Sequence, residues 1–230
     1  MKIIVSGASS GIGFQLAKKF VAGGHEVLAF ARSEGKLHRL AGETSGYSGK
    51  LHILTFDLMT ENYQPLFTAV KQQLNTLDAL VNNAGWLVNK PFLELCDEEI
   101  AKTFNINVFA VFRLVRQLFP LMHKDTHIVN ISSIGGVGGS AKFKGLSAYS
   151  ASKGALSILT ECLAEEFAEQ GVKVNALALG ATQTEMLAQA FPGYKAPLSA
   201  VQMADFIADF TLNGHQYFNG KILPVSLSTP

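Results

Sequence analysis

Cysteine is scarce: the 230 residues hold two, Cys96 and Cys162. Two thiols, both in segments read as helical, build no disulfide framework and suit a reducing cytoplasm. Charge is scarce as well. Charged residues make up 16% of the chain, against roughly 25% in an average soluble domain, and so little polar surface points to contacts between subunits. Neither sign prevails, since 19 Lys and Arg meet 18 Asp and Glu for a net charge of +1. That balance leaves no electrostatic footprint for nucleic acid or an anionic membrane. Long apolar runs are missing too. Val108–Val115 is interrupted by Arg113, whereas a membrane helix needs roughly 18–20 apolar residues. The start, Met1-Lys2-Ile3-Ile4-Val5, offers three apolar residues before Ser6-Gly7. A signal peptide needs about 7–15, so the segment reads as a buried first strand.

What is present is apolar matter in a regular order. Hydrophobic residues are 48% of the chain, which excludes a disordered chain and suffices for a sizeable core. Short β-rich runs are expected at Ile3–Ser6, Glu26–Phe30, Leu51–Phe56, Ala79–Asn82, His127–Ile131, Val172–Ala178 and Lys221–Val225. Helical periods lie between them, at about Ile12–Ala22, Glu34–Leu40, Tyr63–Leu74, Asp97–Met122, Ala148–Gln170 and Ala200–Leu212. This alternation predicts an α/β fold: a doubly wound parallel sheet of Rossmann type, three layers deep, in one domain over 1–230. The Gly/Ser/Lys-rich stretch Gly135–Ser147 reads as a loop beside a site. A second irregular stretch, 184–199, reads as a substrate loop.

Ser6-Gly7-Ala8-Ser9-Ser10-Gly11-Ile12-Gly13 follows the first strand and opens a helix. A tight turn, close approach to a phosphate and close helix–sheet packing each call for glycine. Helix amides there would face a pyrophosphate. An ordinary βα turn could also use such glycines; the position directly after strand one favours a dinucleotide. Strand two ends in Ala31-Arg32-Ser33. An acid at this place holds the ribose hydroxyls of NAD. Alanine stands there instead, and Arg32 with Ser33 could grip a 2′-phosphate. The expected cofactor is therefore NADP(H) over NAD(H), against the plainer reading of Arg32 as a solvated surface side chain.

Tyr149 and Lys153 are four residues apart, on one helical face. A free tyrosine, with a pKa near 10, is a poor base at pH 7. A nearby ammonium, helped by a cationic nicotinamide, would favour the phenolate. Tyr217 and Lys221 repeat the spacing but enclose Asn219-Gly220, a turn, and are given no catalytic part. Ile128–Ser133 is a strand ending in two hydroxyls, which a parallel sheet would aim at its ligand crevice.

These motifs, in this order from Ser6 to about Val225, resemble the short-chain dehydrogenase/reductase family. The resemblance implies an oxidoreductase that interconverts a carbonyl and a secondary alcohol on a small molecule. Asn107, Ser133, Tyr149 and Lys153 would be its catalytic residues. Ser133 is selected over Ser132, and Asn107 would hold a proton-relay water. On the cofactor, Gly7, Ser9, Ser10, Gly11, Ile12 and Gly13 would cradle the phosphates. Asp57 and Leu58 would flank the adenine, though spacing alone also allows Asp57 to be a helix N-terminal residue. Asn83-Ala84-Gly85 would support the adenine and the central sheet. Gly180, Thr182 and Thr184 would hold the nicotinamide carboxamide. The chain departs from the family pattern in a longer loop between Ser133 and Tyr149, in Ser10 where a second basic residue is common, and in Leu179 where proline is usual. It also lacks the terminal glycine pair. A homodimer or homotetramer in the cytoplasm is implied. Trp86, Leu87, Val88, Phe143, Met186 and Phe191 read either as core or as an apolar pocket. A different class of protein, a catalytically idle NADP(H)-binding sensor or scaffold, would fit the same fold.

Overall fold

A computed structural model describes residues 1–227. In chain order its elements are β1 (Lys2–Ser6), α1 (Gly11–Ala22), β2 (Glu26–Ala31), α2 (Glu34–Glu43), β3 (Lys50–Thr55), α3 (Gln64–Gln73) and β4 (Leu77–Asn82). They continue as α4 (Asp97–Phe104), α5 (Ala110–Leu118), β5 (Met122–Ser133), α6 (Ser147–Glu166), β6 (Lys173–Leu179), β7 (Thr182–Gln183), α7 (Glu185–Ala190), β8 (Leu198–Ser199), α8 (Ala200–Asn213) and β9 (Ile222–Val225). Seven strands form one sheet in the order β3-β2-β1-β4-β5-β6-β9. Every pairing in it is parallel. The chain winds outward from β1 to one edge, then returns and winds from β4 to the other. This is the expected Rossmann-type doubly wound fold.

Alternation along buried strands makes two cores. In β1, Ile3 and Val5 face one layer with Phe14, Leu16 and Phe20 of α1, Leu37 and Leu40 of α2, and Ile207 of α8. Ile4 faces the other, with Leu66 and Val70 of α3, Val111 and Leu114 of α5, and Leu156 of α6. Strands covered on both faces read as unbroken apolar runs, which is why the sequence showed them clearly.

The longest expected helix is not one helix. Over 97–122 the chain forms α4, then a π-helical turn at Asn105–Phe109, then α5, then a 3-10 turn at Phe119–Leu121. Pro120 has no N–H to continue the ladder. Met122, expected to end the helix, instead begins β5. The substrate loop carries α7 and the two-residue parallel pair β7–β8, pieces too short to leave a periodic signal.

Candidate active site

The strands' C-terminal ends open onto a cleft of ≈ 800 Å³ that runs from Arg32 and Asp57 past Gly11 to Tyr149 and Lys153. It sits where the winding direction reverses, between β1 and β4, the place ligands occupy in open α/β sheets. All the assigned residues line it except Gly13 and Asn107.

The glycine turn is built by close approach. Gly7 has φ +70°, and a Cβ there would stand 2.8 Å from Ala84 Cα. Glycine is needed because the turn after β4 presses on the turn after β1. Ser6, not among the assigned residues, laces the two: its Oγ accepts from Asn83 N and Ala84 N, both at 3.0 Å. Asn83 Nδ2 donates to Ser6 O at 2.9 Å. A Cβ on Gly13 would strike the Asn83 side chain and Gly7 O. Gly13 is thus a packing glycine beneath the cleft, not a residue of its lining. Gly11, at φ +54°, faces Thr184. Ser10 caps α1 with no side-chain bond, and no acid occupies the helix's first turn. Ser9 and Ile12 line the cleft beside it.

Further along, Arg32 and Ser33 are exposed at the mouth. Asp57 Oδ1 accepts from Met59 N at 3.0 Å, and Leu58 is buried beside it with its carbonyl bonded by Tyr63. Gly180 lies hard against Ser226 of the C-terminal tail. Thr182 is buried, and Thr184 Oγ1 caps α7 by accepting from Leu187 N at 3.2 Å.

At the other end, α6 carries Tyr149 and Lys153. A buried polar chain ties this helix to the sheet: Asn82 Nδ2 to Asn130 Oδ1 at 2.8 Å, then Asn130 Nδ2 to Thr160 Oγ1 at 2.9 Å. Ser132 and Ser133 point to different tasks. Ser132 is buried and bonds Lys153 O and Ser157, whereas the Ser133 hydroxyl accepts from Gly135 N at 3.3 Å and lines the cleft with Tyr149. Gly135 and Gly136 form a 3-10 turn packed on α6, and a Cβ on Gly136 would come within 2.6 Å of the Lys153 backbone. The start of the loop Gly135–Ser147 is thus a fitted contact.

Asn107 sits in the π turn and is buried. Its Oδ1 accepts from Trp86 N at 2.8 Å, and its Nδ2 donates to Trp86 O and Ser152 Oγ, both at 2.9 Å. The side chain therefore pins the turn after β4 to α6. Gly85 lies between: a Cβ there would be 3.5 Å from Asn107 Oδ1 and 3.7 Å from Lys153 Nζ.

The protein's own groups favour the phenol over the phenolate. Lys153 Nζ lies 5.8 Å from the Tyr149 ring centre and donates to Ile131 O at 2.7 Å. Burial pushes its ammonium down to about 8. Burial pushes the Tyr149 phenol up to about 12, against a smaller opposing pull from the Ser133 hydroxyl. Both groups lose water, and loss of water disfavours whichever form is charged. The protein alone thus holds the tyrosine as a neutral phenol.

The six residues read as core or pocket all line the cleft, and none is fully buried. Lys36 and Glu185 also line it and form an ion pair at 3.0 Å. Lys36 lies in the first turn of α2 and Glu185 begins the short α7, so no sequence pattern marks them as partners.

Of the enzymes a doubly wound sheet can carry, those that would use a cleft running from a phosphate-ready turn to a phenol beside an amine are nicotinamide-dependent oxidoreductases. Comparison with known proteins narrows the class. The chain belongs to the short-chain dehydrogenase/reductase family, whose short chain dehydrogenase profile matches residues 1–195. It is similar to the fatty acyl-CoA reductase of Acinetobacter baylyi, 32% identical over 210 residues, or 89% of this chain and 70% of that protein. L-sorbose reductase from Gluconobacter frateurii, solved with NADPH and L-sorbose, superposes with a TM-score of 0.87 at 25% identity, covering 100% of this chain and 97% of the other. A 4-hydroxyisoleucine dehydrogenase solved with NADH gives 0.84 at 26% identity, with 98% and 96% covered. The chain is thus an NAD(P)-dependent oxidoreductase acting on CH–OH and C=O groups.

Proposed function

We propose that the enzyme uses NADP(H) and interconverts a carbonyl and a secondary alcohol of a small molecule, with Tyr149 carrying the proton. One observation carries this reading: Ser133, Tyr149 and the Lys153 amine, the last 5.8 Å from the Tyr149 ring centre, together line one end of a cleft whose other end presents Arg32 and Ser33. The residues fit a dinucleotide. Gly7 leaves its turn open where a Cβ could not stand, the cleft is continuous, and Ala31 puts no carboxylate where a 2′-phosphate would lie.

When bound, the nicotinamide supplies or accepts the hydride. Arg32 and Ser33 hold the 2′-phosphate, Asp57 and Leu58 the adenine, and the turn from Gly7 to Ile12 the pyrophosphate, with Asn83, Ala84 and Gly85 forming the opposite wall. Gly180, Thr182 and Thr184 face the carboxamide. Ser133 donates to the substrate oxygen and Tyr149 gives that oxygen its proton as the carbonyl carbon becomes tetrahedral. A phenol kept neutral up to about pH 12 is ready for that donation at neutral pH. Lys153 binds the nicotinamide ribose and adds positive charge beside the phenol in the reverse direction. Asn107 is a positioning residue that fixes Trp86 and Ser152 around this centre.

The substrate half is apolar, lined by Trp86, Leu87, Val88, Phe143, Met186 and Phe191. A second copy of the chain packs across Phe109, Phe112 and Ile158, which are 46%, 50% and 62% exposed. Light scattering should then give two or four times the mass of one chain, and a monomer would refute it. Cys96 and Cys162, unpaired and exposed, suit the cytoplasm.

A panel of aldehydes and ketones assayed with NADPH and NADH in parallel tests the reading. Oxidation of NADPH in preference to NADH is expected. Tyr149→Phe should cut turnover by about 10²–10⁴ while NADPH affinity, read by fluorescence, stays nearly unchanged. Comparable turnover in that variant would remove Tyr149 from the chemistry.

A further inference from the structure

Of the ion pairs among the described residues, Lys36–Glu185 has both partners in the cleft lining, one from α2 and one from α7. Lys36 lies in the first turn of α2, three residues after Ser33 and four after Arg32. Glu185 is the first residue of α7. Their contact, Nζ to Oε2 at 3.0 Å, joins positions 149 apart in sequence.

We propose that this pair is a clasp opened by the cofactor's 2′-phosphate: Lys36 leaves Glu185 for the phosphate, and α7 is thereby released at its Glu185 end. The inference rests on the NADP(H) reading above. Three features support the exchange. The side chains are 44% and 60% exposed, and ion pairs so exposed are weak. A phosphate carries nearly two negative charges and three acceptor oxygens, so it competes well with a single carboxylate. The neighbours are uncommitted as well: Arg32 has no ion-pair partner among the described residues, and the Ser33 hydroxyl bonds no amide of α2. A cofactor with a free 2′-hydroxyl gives Lys36 no reason to move, so the clasp stays shut.

The consequence for α7 follows from its other anchors. Asn89 Nδ2 donates to Ala190 O at 2.7 Å and holds the far end. The near end, Thr184, lies over Gly11, whose built Cβ would be 3.4 Å from Thr184 Cγ2. Release at Glu185 therefore frees the end of the segment that covers the glycine turn. Lys36 becomes a residue that determines cofactor specificity, and Glu185 the carboxylate that opposes the phosphate until Lys36 is exchanged.

The test uses two fragments without nicotinamide, ADP-ribose and 2′-phospho-ADP-ribose, which differ in the 2′-phosphate alone. Calorimetry should show Lys36→Ala weakening the phosphorylated fragment about tenfold, with ADP-ribose unaffected and Lys36→Arg restoring the affinity. Glu185→Gln should tighten the phosphorylated fragment several-fold and leave ADP-ribose unchanged. Hydrogen exchange across 185–191 should rise in the wild type with the phosphorylated fragment and not with ADP-ribose. In Glu185→Gln it should be high before any ligand is added. Equal loss for both fragments in Lys36→Ala, or no loss for either, overturns the clasp while leaving the cofactor reading intact. So does exchange that responds alike to both. If folded wild-type protein binds ADP-ribose more tightly than the phosphorylated fragment, the NADP(H) preference falls and the clasp with it.

Discussion

At the residue scale, one hydrogen atom decides how closely the turn after Ser133 can approach α6. A methyl on Gly136 would lie 2.6–2.8 Å from the Lys153 carbonyl carbon, the Gly154 nitrogen and the Lys153 Cβ. These atoms belong to the middle of α6 and cannot swing aside. Gly136→Ala should therefore push the turn after Ser133 away from Tyr149, at a cost of about 1–3 kcal/mol for overpacking. Thermal unfolding should show the loss, and turnover should fall because Ser133 is displaced relative to Tyr149. Gly138→Ala is the control in the same loop. Nothing lies within 4 Å of its built Cβ, so its melting temperature should match the wild type. Equal melting of the two variants would show that the loop gives way and that the close contact is not needed.

At the scale of elements, the interrupted helix is the most instructive. An apolar period running from Asp97 to Met122 reads as one helix, and the sequence has no general signal for a π turn. Asn107 was legible as a site residue only through its resemblance, since an isolated asparagine in a helix is otherwise merely tolerated. Its actual work is visible in three dimensions: three hydrogen bonds to Trp86 and Ser152, all in buried or half-buried surroundings. Asn107→Ala leaves Trp86 N, Trp86 O and Ser152 without those partners, and each group left unsatisfied costs about 1–3 kcal/mol. Urea unfolding should show a loss of that order, with kcat falling as Trp86 drifts. Unchanged stability would mean that water replaces the amide. The strands were legible throughout, because burial on both faces writes itself as short unbroken apolar runs between glycines. By contrast α7, β7 and β8 were not. They are held by single contacts such as Gln183 Oε1 accepting from Ala196 N, and six-residue or two-residue pieces have no period to read. The glycine turn, Ser133, Tyr149 and Lys153 were legible as local strings. Lys36–Glu185 and Ser6–Asn83 were not, because each joins two strings that only the winding of the sheet brings together.

At the scale of the molecule, one buried histidine couples the fold's stability to pH. His127 lies on β5 with no exposed surface, where β5, β6, α8 and the turn at 214–216 meet. Its Nδ1 is bonded to Thr211 O at 3.0 Å, and its Nε2 accepts from Asn175 Nδ2 at 3.1 Å. That arrangement needs a neutral ring with its proton on Nδ1. Burial is the main reason its pKa falls to about 4, and the neighbouring His215 lowers it further. The unfolded chain takes up this proton near pH 6.5, and the folded chain only near 4. Between those values the unfolded state binds more protons, so stability is full above about 6.5 and declines as the pH falls toward 4. The shift corresponds to about 3 kcal/mol across the window. His123 works in the opposite sense: its pKa is raised by the Lys124 carbonyl and then by Asp78, so it adds stability at low pH that is lost as pH rises. The difference between proteins therefore isolates His127 better than the wild type alone. In His127→Gln, urea unfolding measured from pH 7 to 4.5 should lose most of the acid-side decline, even though the variant starts from lower stability. If the two proteins weaken in parallel with falling pH, the proton uptake belongs to other groups, and the junction of β5, β6 and α8 is indifferent to the charge on its histidine.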